Sequence, residues 1–273
     1  MSFARSVPRL FRNFTSTFVA SRRYPRHGVW LRNIAQPFST ANTTPNLLSQ
    51  MEKHAHPAQF PPVQSLSPRI PSMSPHFNEA DRIEKYLHED GHRAWGFVIY
   101  RCTYESDTAW EEFMRRLLAN TEETLEGTGG LDLLDNLAVT VFQDSSFDGA
   151  TAAVVRDHFK RWAATAAQQE QGTGPGFSER YLYCIQVTQD VLDSVLADDS
   201  GFVRLVRGNW KEYDPYEEGE RVEEEHEALE GCTLENVGWM QVPFDGVMVI
   251  PWYYLRGYGW EREYRRPPTV ACF

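Results

Sequence analysis

The chain has few cysteines and they stand far apart. Cys102, Cys184, Cys232 and Cys272 form no C-x-x-C pair, so neither a zinc ribbon nor a disulfide framework is indicated, and a reducing compartment fits. Cys102 and Cys184 fall inside apolar, strand-like runs, where a small buried thiol is the ordinary reading. No apolar run approaches the roughly 20 residues a membrane span needs, so the folded part is expected to be soluble. No Gly-rich loop follows any candidate strand, which removes the phosphate-cradling motifs, and no internal repeat stands out. The first 40 residues lack Asp and Glu altogether.

The acids are elsewhere. Residues 1–80 hold nine Lys or Arg against Glu52 and Glu79, which leaves 18 basic and 36 acidic side chains for residues 81–273. That second portion, at −18, repels phosphate backbones, so nucleic acid is not expected as a partner. With 41% hydrophobic residues, among them 8 Trp, 12 Tyr and 16 Phe, most of the chain has the means to build a core.

The acid-free leader is rich in Arg, Ser and Thr. On a helix, Phe3, Val7, Leu10, Phe11, Phe14 and Phe18 share one side, while Arg5, Arg9 and Arg12 take the other. This is the composition of a mitochondrial transit peptide, read over residues 1–40 with processing between about 33 and 41 and the matrix as destination. A disordered basic tail, with the protein left in the cytoplasm, is the alternative. Residues 41–78, rich in Pro, Ser, Thr and Gln, read as a disordered linker.

Residues 79–273 read as one domain. Asn78 caps a helix through "EADRIEKYLHED" that Gly91 ends, and "WGFVIYRC" follows as a buried strand. "SDTAWEEFMRRLLANTEETL", capped by Ser106 or Asp107, is a helix burying Trp110, Phe113, Met114, Leu117 and Leu118. "LAVTVF" is a second strand, and the helix "ATAAVVRDHFKRWAATAA" buries Val154, Val155, Phe159 and Trp162. "RYLYCIQVT" and "FVRLVRG" are strands around the short helix "QDVLDSVLAD". An acidic loop near 211–231 precedes "VGWMQVP" and "VMVIPWYYL", a pair of strands that Asp245-Gly246 joins as a hairpin. The spacing is too irregular for a Rossmann unit. The expected fold is α+β: one mixed or antiparallel sheet with helices mainly on one face, a ferredoxin-like sandwich being one form of it.

Several motifs carry chemistry in principle. His88, Glu89 and His92 match H-E-x-x-H, but zinc catalysis needs an unbroken helix across both histidines. Gly91 lies between them, so two solvated histidines at a helix end are expected and no metal site. His158 reads as a boundary histidine. Asp144 and Asp148, flanking Ser145-Ser146, are accounted for by the start of a helix. The acid run 217–230 lacks the ligand spacing of an EF-hand. In "PWYYLRGYGWEREYRR" aromatics alternate with Arg, as expected of a C-terminal arm packed on the protein's own surface. No cofactor is implied.

The runs "WGFVIYRCTYESDTAWEEFMRRL", "VVRDHFKRW", "RYLYCIQVT" and "GCTLENVGWMQVP" are similar to a set of uncharacterised proteins of filamentous fungi. The resemblance covers about 95–255. It implies a fungal source and supplies no catalytic residues, since the set has no established activity.

No nucleophile, base and orienter stand together as a set. The expectation is therefore a non-catalytic binding or interaction module with a protein or small-molecule partner; the alternative is a small-molecule enzyme whose site assembles only in the fold. Strand alternation puts Tyr100 with Cys102 and Tyr104, opposite Phe97, Ile99 and Arg101. Tyr100, Tyr183 and Trp239 are the candidate ligand-binding residues, expected to line the face of the sheet that the helices leave open. The competing reading makes all three ordinary core residues.

Overall fold

The computed structural model describes residues 78–197, 201–212, 226–257 and 259–273. The leader 1–40, most of the linker 41–78 and residues 213–225 of the acidic loop lie outside the described residues. Five strands form one open mixed sheet in the order β2-β1-β3-β4-β5: β1 (Val98–Arg101), β2 (Thr140–Phe142), β3 (Tyr183–Val187), β4 (Phe202–Arg207) and β5 (Trp239–Pro243). β1 pairs in parallel with β2 and β3, whereas β3–β4 and β4–β5 are antiparallel. Among the described residues six α-helices surround it: α1 (Glu79–Asp90), α2 (Asp107–Gly127), α3 (Ala152–Gln171), α4 (Gln189–Ala197), α5 (Ile250–Tyr254) and α6 (Gly259–Glu263). The architecture is α+β. No helix among the described residues is long and apolar enough to cross a membrane.

Local chemistry explains the boundaries. The Asn78 side chain accepts from the Asp81 amide at the start of α1, and Gly91, at φ 66°, closes the helix in a left-handed cap that side chains rarely adopt. Ser106 caps α2 and Thr151 caps α3 in the same way. Paired residues across a sheet share a face. One row is therefore Val141, Ile99, Ile185, Leu205 and Met240, and the next is Phe142, Tyr100, Gln186, Arg204 and Gln241.

The first of these faces carries the larger core. Ile83 and Leu87 of α1, Phe113 and Leu117 of α2, Val191 and Val195 of α4, Trp252 of α5 and Trp260 of α6 all pack there. Among the described helices α3 alone closes the second face, through Ala152, Val155 and Phe159, with Phe147, Val237, Leu229 and Cys232 beside it. Helices thus lie mainly on one face.

Three details depart from the sequence-based expectations. "VMVIPWYYL" is not a strand: Val247–Val249 is a buried run leading into α5, with Pro251 in the first turn where its missing N–H costs nothing. Val154 is 50% exposed, because α3 turns Val155 and Phe159 inward. His92 is buried rather than solvated; its Nε2 pairs with the Gly174 carbonyl at 2.9 Å and its ring meets Tyr181 edge-on, while His88 stays exposed. The C-terminal arm packs as expected, with Val270 bridging Gln241 at the β5 edge.

Candidate functional site

β1 is followed by α2 on the first face and β2 by α3 on the second, so the chain winds to opposite sides of the sheet about β1. The loops after β1 and β2 therefore part at the carboxyl end of the sheet, whereas β3, like β1, leads to a helix on the first face. A cleft of about 310 Å³ lies at that end, bounded by Cys102, Thr103 and Glu105 after β1 and by Thr188 and Gln189 after β3. The loop from β2 to α3 forms its other wall from Asp148 to Thr151, and Arg204 and Glu230 complete it.

The walls are held by hydrogen bonds between segments distant in sequence. The Gly149 amide donates to the Cys102 carbonyl at 3.1 Å, and the Thr103 hydroxyl donates to the Gln189 side chain, tying the ends of β1 and β3 together. Gln186, buried behind them, donates through Nε2 to the Ala150 carbonyl at 2.7 Å. Its Oε1 has no partner.

Arg204 is the charged centre. Its guanidinium stacks on Trp239, 4.6 Å from the ring centre, and pairs with Glu230 at 2.9 Å and Asp190 at 3.0 Å. Glu230 also accepts from the Ala152 amide at 2.7 Å, in the first turn of α3. The carboxylate thereby meets both a guanidinium and the positive end of a helix, where oxyanions are favoured. Its own backbone, at φ 51°, is in the left-handed region that a glutamate rarely adopts. Burial raises the Asp190 carboxyl, but the Thr188 hydroxyl and Arg204 outweigh it and leave the group below its ordinary value. Glu105 and Asp148 are exposed on the rim.

Cys102 is the one thiol among the described residues of the cleft, and it is buried. Burial pushes Cys102 up to about 12, against a smaller opposing contribution from the Gln186 amide, so it stays protonated near neutrality. No imidazole is among the described residues that line the cleft. What the arrangement offers is hydroxyls, an amide and charges of both signs in fixed positions.

The residues expected to bind a ligand lie elsewhere and do not meet. Tyr100 and Trp239 share the second face, but Tyr183 is on the first, stacked on Trp260 at 5.5 Å. The shared face therefore fails for Tyr183, because position 183 is in phase with Ile185, which opposes Cys184 and Gln186. All three are buried, at 0%, 3% and 5% exposure. The Tyr100 hydroxyl is hydrogen-bonded with His158 Nδ1 at 2.7 Å within a cage of Phe142 and Phe147, and Trp239 supports Arg204 from beneath. Asp144 caps the short 3-10 turn Ser145–Phe147, but Thr151 rather than Asp148 caps the helix that follows. Arg204, Glu230 and Gln186 were not anticipated. An Arg alternating with apolar residues in "FVRLVRG" was the available signal, and it gains meaning only once strand order places it beside the ends of β1 and β3.

No protein-family model, curated protein or solved structure matches this chain.

Proposed function

We propose that the domain is a binding module for a small polar molecule, without catalysis, and that the cleft at the carboxyl ends of β1 and β3 is its site. The observation that carries this reading is the chemistry of the cleft wall: a fixed guanidinium and several hydroxyls, but a thiol held protonated and no imidazole among the described residues. Such a set can orient a ligand and lacks a nucleophile activated by a base.

Calorimetric titration of the purified protein with polar metabolites of both charge signs tests it. A ligand of the cleft should bind the Arg204→Ala protein about ten- to a hundredfold more weakly, as expected for loss of a charged hydrogen bond, and Lys211→Ala should bind as the wild type does. Ligand turnover, or equal affinity after Arg204→Ala in a protein that still folds, overturns the proposal. Turnover would favour the enzyme alternative.

We also propose that residues 1–40 direct the chain to the mitochondrial matrix, on the strength of the acid-free, Arg-faced leader. A fluorescent protein behind residues 1–45 should enter mitochondria, and replacing Arg5, Arg9 and Arg12 with Glu should keep it out. Cytosolic signal from the unaltered fusion refutes the assignment.

A further inference from the structure

At the amino end of β3, the end remote from the cleft, the turn Glu179–Tyr181 carries a carboxyl group in an unfavourable place. Glu179 is 0% exposed, and neither oxygen of its carboxyl receives a hydrogen bond from another of the described residues. The adjacent Ser178 hydroxyl is buried without a partner as well. The cation beside Glu179, Arg256, stands 3.8 Å from Oε2 but is engaged by Asp90. Both Nη atoms of Arg256 donate to the Asp90 carboxylate, at 2.6 and 2.9 Å. Arg256 also lies over Tyr86, 4.7 Å from the ring centre, and 3.7 Å from Glu89.

Asp90 holds more than Arg256. It accepts from the Phe177 amide at 3.2 Å, and His92, two residues on, pairs with the Gly174 carbonyl. Through these contacts the segment 174–178 is fastened to the end of α1. The titratable and charged groups facing Glu179 are Tyr86 and Asp90 from α1, Arg256 from the turn after α5, and Tyr183 from β3.

A carboxylate without donors is costly to bury, whereas a neutral carboxyl is far less so. Burial accordingly pushes Glu179 up to about 8; its own backbone amide and then Arg256 oppose the rise, and Asp90 adds to it. Ionisation leaves two carboxylates competing for one guanidinium, with less than 1.5 Å of travel separating Arg256 from hydrogen-bonding distance of Glu179, roughly.

We propose that Glu179 is a proton-controlled latch on Arg256. Protonated, it leaves Arg256 on Asp90 and over the Phe177 ring, 5.8 Å from its centre, with the segment 174–178 fastened to α1; ionised, it draws Arg256 away from both and so loosens that segment. The proton goes to solvent, and the device is independent of the cleft and its ligand.

Hydrogen exchange on the full chain, corrected for the intrinsic pH dependence of amide exchange, reads the latch directly. Between pH 6.5 and 9.5 the hydrogen-bonded amides of Phe177 and Ser178 should lose protection about tenfold, the equivalent of one pKa unit of exchange, with a midpoint near 8. In Glu179→Gln this step should vanish. Asp90→Asn removes both the competitor and a repelling charge, so Arg256 should pass to Glu179 at lower pH and the midpoint should fall by about one unit or more. An unchanged midpoint in Asp90→Asn, or the same step in Glu179→Gln, overturns the proposal. If Glu179→Gln does not fold, the Asp90→Asn shift alone decides.

Discussion

Tyr100 shows how a single side chain can have the marks of a binding residue and yet be part of the core. It is 0% exposed, its hydroxyl is spent on His158, and two phenylalanine rings meet it at 5.0 and 5.2 Å. Tyr100→Ala should cost about 3–5 kcal/mol in urea unfolding. Tyr100→Phe should cost about 1–2 kcal/mol, since it strands the His158 nitrogen. Burial, with the charge of Arg161 adding to it, holds His158 below its ordinary value. A histidine depressed in the folded state stays neutral there while the unfolded chain takes up a proton, so stability is lost as pH falls from about 6.5 downward. Melting temperatures between pH 7.5 and 5 should therefore fall less in His158→Leu than in the wild type. Equal slopes would remove His158 from the acid response. Alternation alone set Tyr100 apart from Ile99 correctly, because period 2 is a property of the strand. It could not say that α3 rather than solvent or a partner covers that face, because no residue of β1 encodes what lies 50 positions further on.

The elements are joined as much by buried guanidinium groups as by apolar contact. Arg180, 0% exposed, donates to the Gly96 and Ala138 carbonyls at 3.0 and 2.9 Å, to Thr140, and through two bonds of 2.8 Å to Glu170. One side chain thus fastens the lead-in to β1, the approach to β2, the far half of α3 and the turn before β3. Arg180→Met should destabilise by about 3–5 kcal/mol, because it leaves Glu170 half-buried without its cation and two carbonyls without donors. Adding Glu170→Gln should recover part of that loss, and no recovery in denaturant unfolding would show that the carbonyls carry the cost. The helices were legible in the sequence wherever a cap and a 3.6-residue stripe agreed, as at Asn78, Ser106 and Gly91. "VMVIPWYYL" was not, since a continuous apolar run has no period to read and the proline suits a helix start as well as a strand edge. The cleft was illegible for a different reason. Its wall draws on Cys102, Asp148, Thr188, Arg204 and Glu230, which nothing in local pattern connects, and its position follows only from the order in which strands lie side by side.

For the whole molecule the decisive fact is that β1 is flanked by β2 and β3, with Ile99 facing Val141 on one side and Ile185 on the other. Both partners are made after it, and the second is made long after. A chain emerging from the ribosome through the end of α3 already holds β1, β2 and three helices, yet it has nothing to lay against one edge of β1. Unpaired strand edges and uncovered apolar faces are what draw incomplete chains to one another. Synthesis of this protein consequently passes through a stretch, from about residue 171 until β3 and β4 have followed, in which the half-made chain is a better partner for another half-made copy, or for a chaperone, than it is for itself.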